Sequence, residues 1–119
     1  MTRRMLIVDD DPDFRRWARA WLDAEGYDIV GEAGDGGSAL DEFRRLRPEV
    51  VLLDIQLPDL DGFQVTELLL SEPNPPDVVL ISSRESRDYG DRIAASGARG
   101  FASKEELSGT TLESLLTSP

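Results

Sequence analysis

The sequence predicts an α/β fold built on a parallel sheet, and three observations predict it. The apolar runs at 5–8, 50–53 and 78–81 show no polar alternation, as expected of strands covered on both faces. The stretches between them repeat their apolar residues at helical spacing instead. Each run then ends abruptly in charged or hydroxyl residues. With 119 residues, the chain is expected to form one domain spanning 1–119, large enough to bury its own core.

The elements follow in order. After the first run, Asp11 and Pro12 read as the cap and first position of a helix. Phe14, Trp17, Ala18, Trp21 and Leu22 share one face of it, and Arg15, Arg16, Arg19 and Asp23 take the other. All five apolar residues, both tryptophans included, are assigned to the core. Gly26 stops this helix. The run at 27–30 is poorer, with Asp28 inside it, which suits an edge strand. Leu40, Phe43 and Leu46 mark a second helix, closed by Pro48. A third covers 63–70 and halts at the proline-rich turn 73–76. A weaker fourth, interrupted by Gly90, spans 88–96. Phe101-Ala102 is a short fifth strand, and 110–116 a fifth helix. The alternation βαβαβαβαβα implies right-handed crossovers and a parallel sheet.

Composition excludes several chemistries. The chain has no Cys and no His, so thiolate nucleophiles, disulfides, imidazole bases and imidazole metal ligands are ruled out. Its net charge is 13 − 24 = −11, which disfavours direct contact with a nucleic-acid backbone. No run approaches the ~20 apolar residues of a membrane span. The basic start is followed by too short an apolar run for a signal peptide, so a cytoplasmic protein is expected.

Chemistry collects at the ends of the predicted strands. Asp9-Asp10-Asp11 follows the first run, Asp54 the third, Ser82-Ser83 the fourth and Ser103-Lys104 the fifth. In an open parallel sheet these ends share one edge, where ligands bind. Clustered carboxylates repel one another, and one would take up a proton unless a cation relieves them. Mg²⁺ suits such a cluster, since it takes one or two carboxylates together with waters and phosphate oxygens. A carboxylate can then attack phosphorus to form an acyl phosphate, with a lysine and a hydroxyl balancing the transferred group. The pattern reads as an aspartyl-phosphate site.

Four segments in order resemble the receiver domain of two-component response regulators. Ile7-Val8-Asp9-Asp10 is similar to that family's acidic pair. Leu52-Leu53-Asp54-Ile55-Gln56-Leu57-Pro58-Asp59-Leu60-Asp61-Gly62 is similar to its phosphoacceptor segment. Leu80-Ile81-Ser82-Ser83 matches its hydroxyl-bearing strand end, and residues 97–104 match its last strand and lysine. The resemblance runs from about residue 5 to the C-terminus. It implies a flavodoxin-like (βα)₅ fold with strand order 2-1-3-4-5 and helices on both faces. It makes Asp54 the phosphoacceptor, with Asp10, Asp54 and the Gln56 carbonyl holding Mg²⁺ and Asp9 helping through water. Ser82 and Phe101 become the switch pair, and Lys104 the phosphate contact. The donor is a histidine kinase or phosphotransfer protein, and the output passes to a further partner. The protein would be a stand-alone receiver, a monomer or weak dimer, and no enzyme beyond its own phosphorylation and slow hydrolysis. Gln56 and Arg84 occupy positions that tune phosphate lifetime.

One departure stands out. The family usually has proline after the lysine, joined by a cis peptide, whereas here Glu105 follows Lys104. A non-proline cis bond costs about 3–4 kcal/mol, so a trans bond is expected, with Glu105 or Glu106 opening the fifth helix region. Competing readings remain open. An aspartate-nucleophile phosphatase also uses a strand-end acid run, and would be phosphorylated there rather than on Asp54. A receiver half of a longer DNA-binding regulator would share every motif. A pure interaction module would not need the full set of site residues. Finally, residues 34–39 fit G-x-G-x-x-A, with Asp54 twenty residues beyond Gly34, as in a dinucleotide site, but 119 residues leave little room for the second half of such a fold.

Overall fold

A computed structural model describes residues 3–117. Five strands, β1 (Arg4–Val8), β2 (Asp28–Ala33), β3 (Val50–Asp54), β4 (Asp77–Ser82) and β5 (Gly100–Ser103), form one sheet in the order β2-β1-β3-β4-β5. Every pairing is parallel, so the (βα)₅ order 2-1-3-4-5 is as the sequence implies. The absence of alternation in the central runs now has its cause. Met5, Ile7, Leu52 and Ile81 pack on one face beneath helices α1 (Pro12–Ala24) and α5 (Gly109–Thr117). Leu6, Val8, Leu53 and Leu80 pack on the other, under α2 (Gly36–Leu46) and α3 (Gly62–Leu70). Neighbouring residues of a strand face opposite ways, and both faces are dry.

The helix starts are set by side chains. Asp11 accepts the N–H of Asp13 at 2.9 Å to cap α1, with Pro12 at its first position. Asp35 accepts from Ser38 at 2.7 Å to cap α2. In α3, Asp61 and Gln64 satisfy each other's backbone N–H groups in a capping box. Gly26, with φ +96°, ends the excursion after α1.

Gly62 has a steric reason to be glycine. Its N–H donates to the Ile55 carbonyl at 2.7 Å, and a Cβ there would sit 2.6 Å from Ile55 Cα and 2.8 Å from the Asp54 carbonyl oxygen. Backbone cannot yield as a side chain can, so Gly62→Ala should destabilise the fold by about 1–3 kcal/mol. Urea denaturation should show a lower midpoint with an unchanged slope. An unaltered midpoint would mean that the loop from 55 to 61 moves aside at no cost.

Three expectations need correction. Trp17 is not core: it is 51% exposed and stacks on Trp21 with ring centroids 5.6 Å apart. Ala18 and Leu22 are the fully buried members of that face, because a helix lying on a sheet buries only a narrow stripe. The fourth helix shrinks to α4 (Arg92–Ala95), preceded by a 3₁₀ turn at Ser86–Asp88. Gly90 breaks it, in the left-handed region at φ +58°. The described residues contain no cis peptide, so Lys104–Glu105 is trans as expected. Glu105 and Glu106 do not open α5, however, but lie in a turn before Gly109. There Ser103 Oγ donates to Glu106 Oε1 at 2.8 Å, and Glu106 N donates to the Ser103 carbonyl at 3.0 Å.

Candidate functional site

The strand ends converge as the topology requires. Asp9 follows β1, Asp54 and Ser82 are the last residues of β3 and β4, and Lys104 follows β5. Asp9 and Ser82 are fully buried and Asp54 nearly so, while Asp10 is exposed. Each of Asp9, Asp10 and Asp54 offers a carboxylate oxygen, and these oxygens lie within 4.8 Å of one another.

Asp9 Oδ1 accepts the N–H of Asp11 at 2.9 Å. Its Oδ2 is 2.7 Å from Lys104 Nζ, yet this buried oxygen accepts no well-directed hydrogen bond. Asp54 Oδ1 accepts the N–H of Gln56 at 3.1 Å, and its Oδ2 lies 3.4 Å from the same ammonium. Burial pushes the Asp54 carboxyl up to about 6, and the Asp9 charge adds to this; Gln56 N–H and Lys104 pull the other way without prevailing. Burial alone would lower the Lys104 pKa, but the two carboxylates outweigh it and raise it. One ammonium thus faces two of the three clustered carboxylates, Asp9 and Asp54.

Such a set fits a hard divalent cation. Its donors are all oxygen, two are buried, and the poorly directed Asp9 Oδ2 has capacity to spare. No transition-metal preference arises, since there is no sulfur or imidazole.

Ser82 and Phe101 are near one another but not joined directly. Ser82 Oγ meets Tyr89 Oη at 2.5 Å and accepts the N–H of Arg84 at 3.1 Å. The Tyr89 ring lies 5.9 Å from that of Phe101, centroid to centroid. Lys104 N donates to the Ser82 carbonyl at 2.8 Å, tying the two strand ends.

Sequence reasoning missed two neighbours of the site. Phe14, assigned simply to the core, lies under Lys104 Nζ at 4.3 Å from its ring centroid, a cation–π contact. Its place one turn beyond Asp10 was the available signal. Tyr89 had none: it falls at the start of the weak fourth helix expected over 88–96, and nothing in that pattern points it at Ser82.

The glycine-rich segment at 34–39 is disposed of by geometry. Asp59 accepts the N–H groups of Gly36 at 2.7 Å and Gly37 at 2.9 Å, and these bonds hold its carboxyl well below the usual carboxylate range. The start of α2, where a pyrophosphate would dock, is filled by the protein's own carboxylate.

Sheet order and acidic rim define the flavodoxin-like class with a carboxylate site between β1 and β3. The family model of the response regulator receiver domain matches residues 5–115. The chain belongs to that family. It is 33% identical over 101 residues to the DNA-binding transcriptional activator EvgA of Escherichia coli K12, covering 85% of this chain and 50% of that protein. A two-component response regulator of the LuxR family from Aurantimonas superposes with TM-score 0.84 at 25% identity, over 95% of this chain and 81% of that one. The response regulator domain of Thermotoga maritima CheB gives 0.79 at 26% identity, covering 98% and 90%. The chain spans about half the length of the curated relatives it matches.

Proposed function

We propose that residues 1–119 act as one receiver domain that takes a phosphoryl group on Asp54 from a histidine kinase or phosphotransfer protein. The observation that carries this is the clustering of Asp9, Asp10 and Asp54 on one rim, with Lys104 set against Asp9 and Asp54. An Asp54 oxygen attacks phosphorus, and the bond to the donor nitrogen breaks, that nitrogen keeping the electron pair and taking up a proton. Asp10, Asp54 and the Gln56 carbonyl would hold Mg²⁺, with Asp9 acting through water, and the ion would neutralise charge on the transferred group. Lys104 balances a phosphoryl oxygen. Ser82 and Phe101 form the switch that alters the partner-binding surface. The domain acts once per phosphoryl group and clears it slowly, rather than turning over a separate substrate. Among the described residues no helix is long and apolar enough to cross a membrane.

The test is uptake of one phosphoryl group from a small-molecule phosphodonor in the presence of Mg²⁺, read by intact mass and by lability to hydroxylamine. No adduct would sink the reading. A second measurement addresses the metal. Mg²⁺ at about ten times its dissociation constant should stabilise the protein by roughly 1.4 kcal/mol, and Asp10→Asn should lose most of that in thermal melts. Equal responses of wild type and variant would remove Asp10 from the site.

One observation favours a second reading alongside this one. The chain covers only half of relatives named as DNA-binding transcriptional activators, so the same receiver would serve as the regulatory half of such a regulator. The full open reading frame decides between them.

A further inference from the structure

The Ser82 hydroxyl is engaged away from Asp54. Among the described residues its hydrogen-bond partners are Tyr89 Oη at 2.5 Å and the N–H of Arg84 at 3.1 Å. A serine hydroxyl has a single proton to give. The Arg84 N–H is itself a donor, so Tyr89 Oη is the one hydrogen-bond acceptor within reach of this proton among the described residues, and either hydroxyl can donate in that pair. Ser82 is fully buried, which makes that partner costly to lose without replacement. Half-buried Tyr89 can send its own proton outward to water.

The Tyr89 ring is also wedged between two others. It meets Phe63 edge-on at 5.7 Å and Phe101 at 5.9 Å. Immediately after it comes Gly90 at φ +58°, and beyond that only the single turn of α4. A change at Ser82 is therefore passed to a ring touching Phe101 and to a segment with a built-in hinge.

We propose that Tyr89 is a latch on the switch: a positioning residue whose phenol holds the Ser82 hydroxyl in the unphosphorylated state and must give it up when Asp54 is phosphorylated. The inference rests on the phosphoacceptor reading of Asp54. No covalent bond changes in this step. Ser82 exchanges a neutral hydrogen bond for one to a charged phosphoryl oxygen, which is the stronger of the two. Tyr89, without its partner, then leaves the space between Phe63 and Phe101.

The test uses beryllofluoride, a non-covalent phosphoryl mimic, titrated with saturating Mg²⁺ and followed by amide NMR. Tyr89→Phe keeps the ring and removes only the hydroxyl. It should bind the mimic about three- to tenfold more tightly, the value of one ordinary hydrogen bond lost from the competing state. In a Ser82→Ala background the same substitution should change the affinity by less than about 1.5-fold, since the latched group is gone. A purely structural Tyr89 would shift the melting temperature and leave the affinity where it was, and that result overturns the latch while leaving the site intact. Weaker binding by Tyr89→Phe would make the phenol a supporter of the phosphorylated state and also overturns it. A wild type that binds no beryllofluoride removes the phosphoacceptor reading, and the latch falls with it.

Discussion

Asp54→Asn is expected to take up no phosphoryl group under conditions where the wild type is fully labelled, because an amide oxygen is no nucleophile toward phosphorus. A label that persists on Asp9 or Asp10 in this variant would return the phosphatase reading, in which the first strand supplies the nucleophile. The same variant should be more stable than wild type without metal. Burial and the Asp9 charge raise the Asp54 carboxyl from 3.8 to about 6 in the folded protein. Between these values the folded state holds a proton that the unfolded chain does not. This group's contribution is therefore fully present below about pH 4 and is lost as the pH rises through 6. The gap corresponds to about 3 kcal/mol, and screening at the open rim reduces the expected gain in Asp54→Asn to about 1–2 kcal/mol at pH 7. Denaturation at pH 7 and pH 4 without Mg²⁺ checks it, the advantage vanishing at the lower pH. A variant no more stable than wild type at pH 7 would mean that Lys104 already neutralises Asp54.

Lys104→Met should have the second large effect, in the opposite direction. It leaves Asp9 and Asp54 facing each other with the ammonium beside both removed. Breaking a fully buried pair costs about 3–5 kcal/mol; the lysine side chain is 21% exposed, so about 2–4 kcal/mol is expected in metal-free protein at pH 7. The loss should shrink at pH 5, where Asp54 takes up its proton more readily, and shrink again with Mg²⁺. Phosphoryl uptake should slow on the order of 10²-fold, as when one donor to a developing charge is removed. A stability loss equal at both pH values would instead assign the contribution of Lys104 to its packing over Phe14.

Much of this site was legible because strand-end chemistry is a linear signal. Asp9, Asp54 and Ser82 each follow an apolar run directly and Lys104 follows one after Ser103, and parallel strands bring such ends together whatever the intervening helices do. The edge position of β2 was legible from its poorer apolar run around Asp28, whereas the interiors of the three central strands are apolar throughout. The second helix was placed by its apolar stripe but not its start, because Asp35 and the glycines after it resemble a loop until Asp59 ties them down.

Sequence alone determined the βα alternation, the rim and the trans bond at Lys104–Glu105, each of which rests on local patterns or on the intrinsic preference of one peptide, while the strand order came from the family resemblance. Tertiary structure decided what depends on neighbours distant in the chain. Trp17 has the same spacing as Ala18 and Leu22, and only the direction in which α1 meets the sheet leaves it in solvent. Glu106 was free to open a helix until Ser103 engaged it in a turn. Tyr89 fell in the weak fourth helix expected over 88–96, and its partners Ser82, Phe63 and Phe101 come from three different elements. Hydrogen bonds and ring contacts of this kind leave no periodicity to read, because they are set by how the strands and helices pack rather than by the residues beside them.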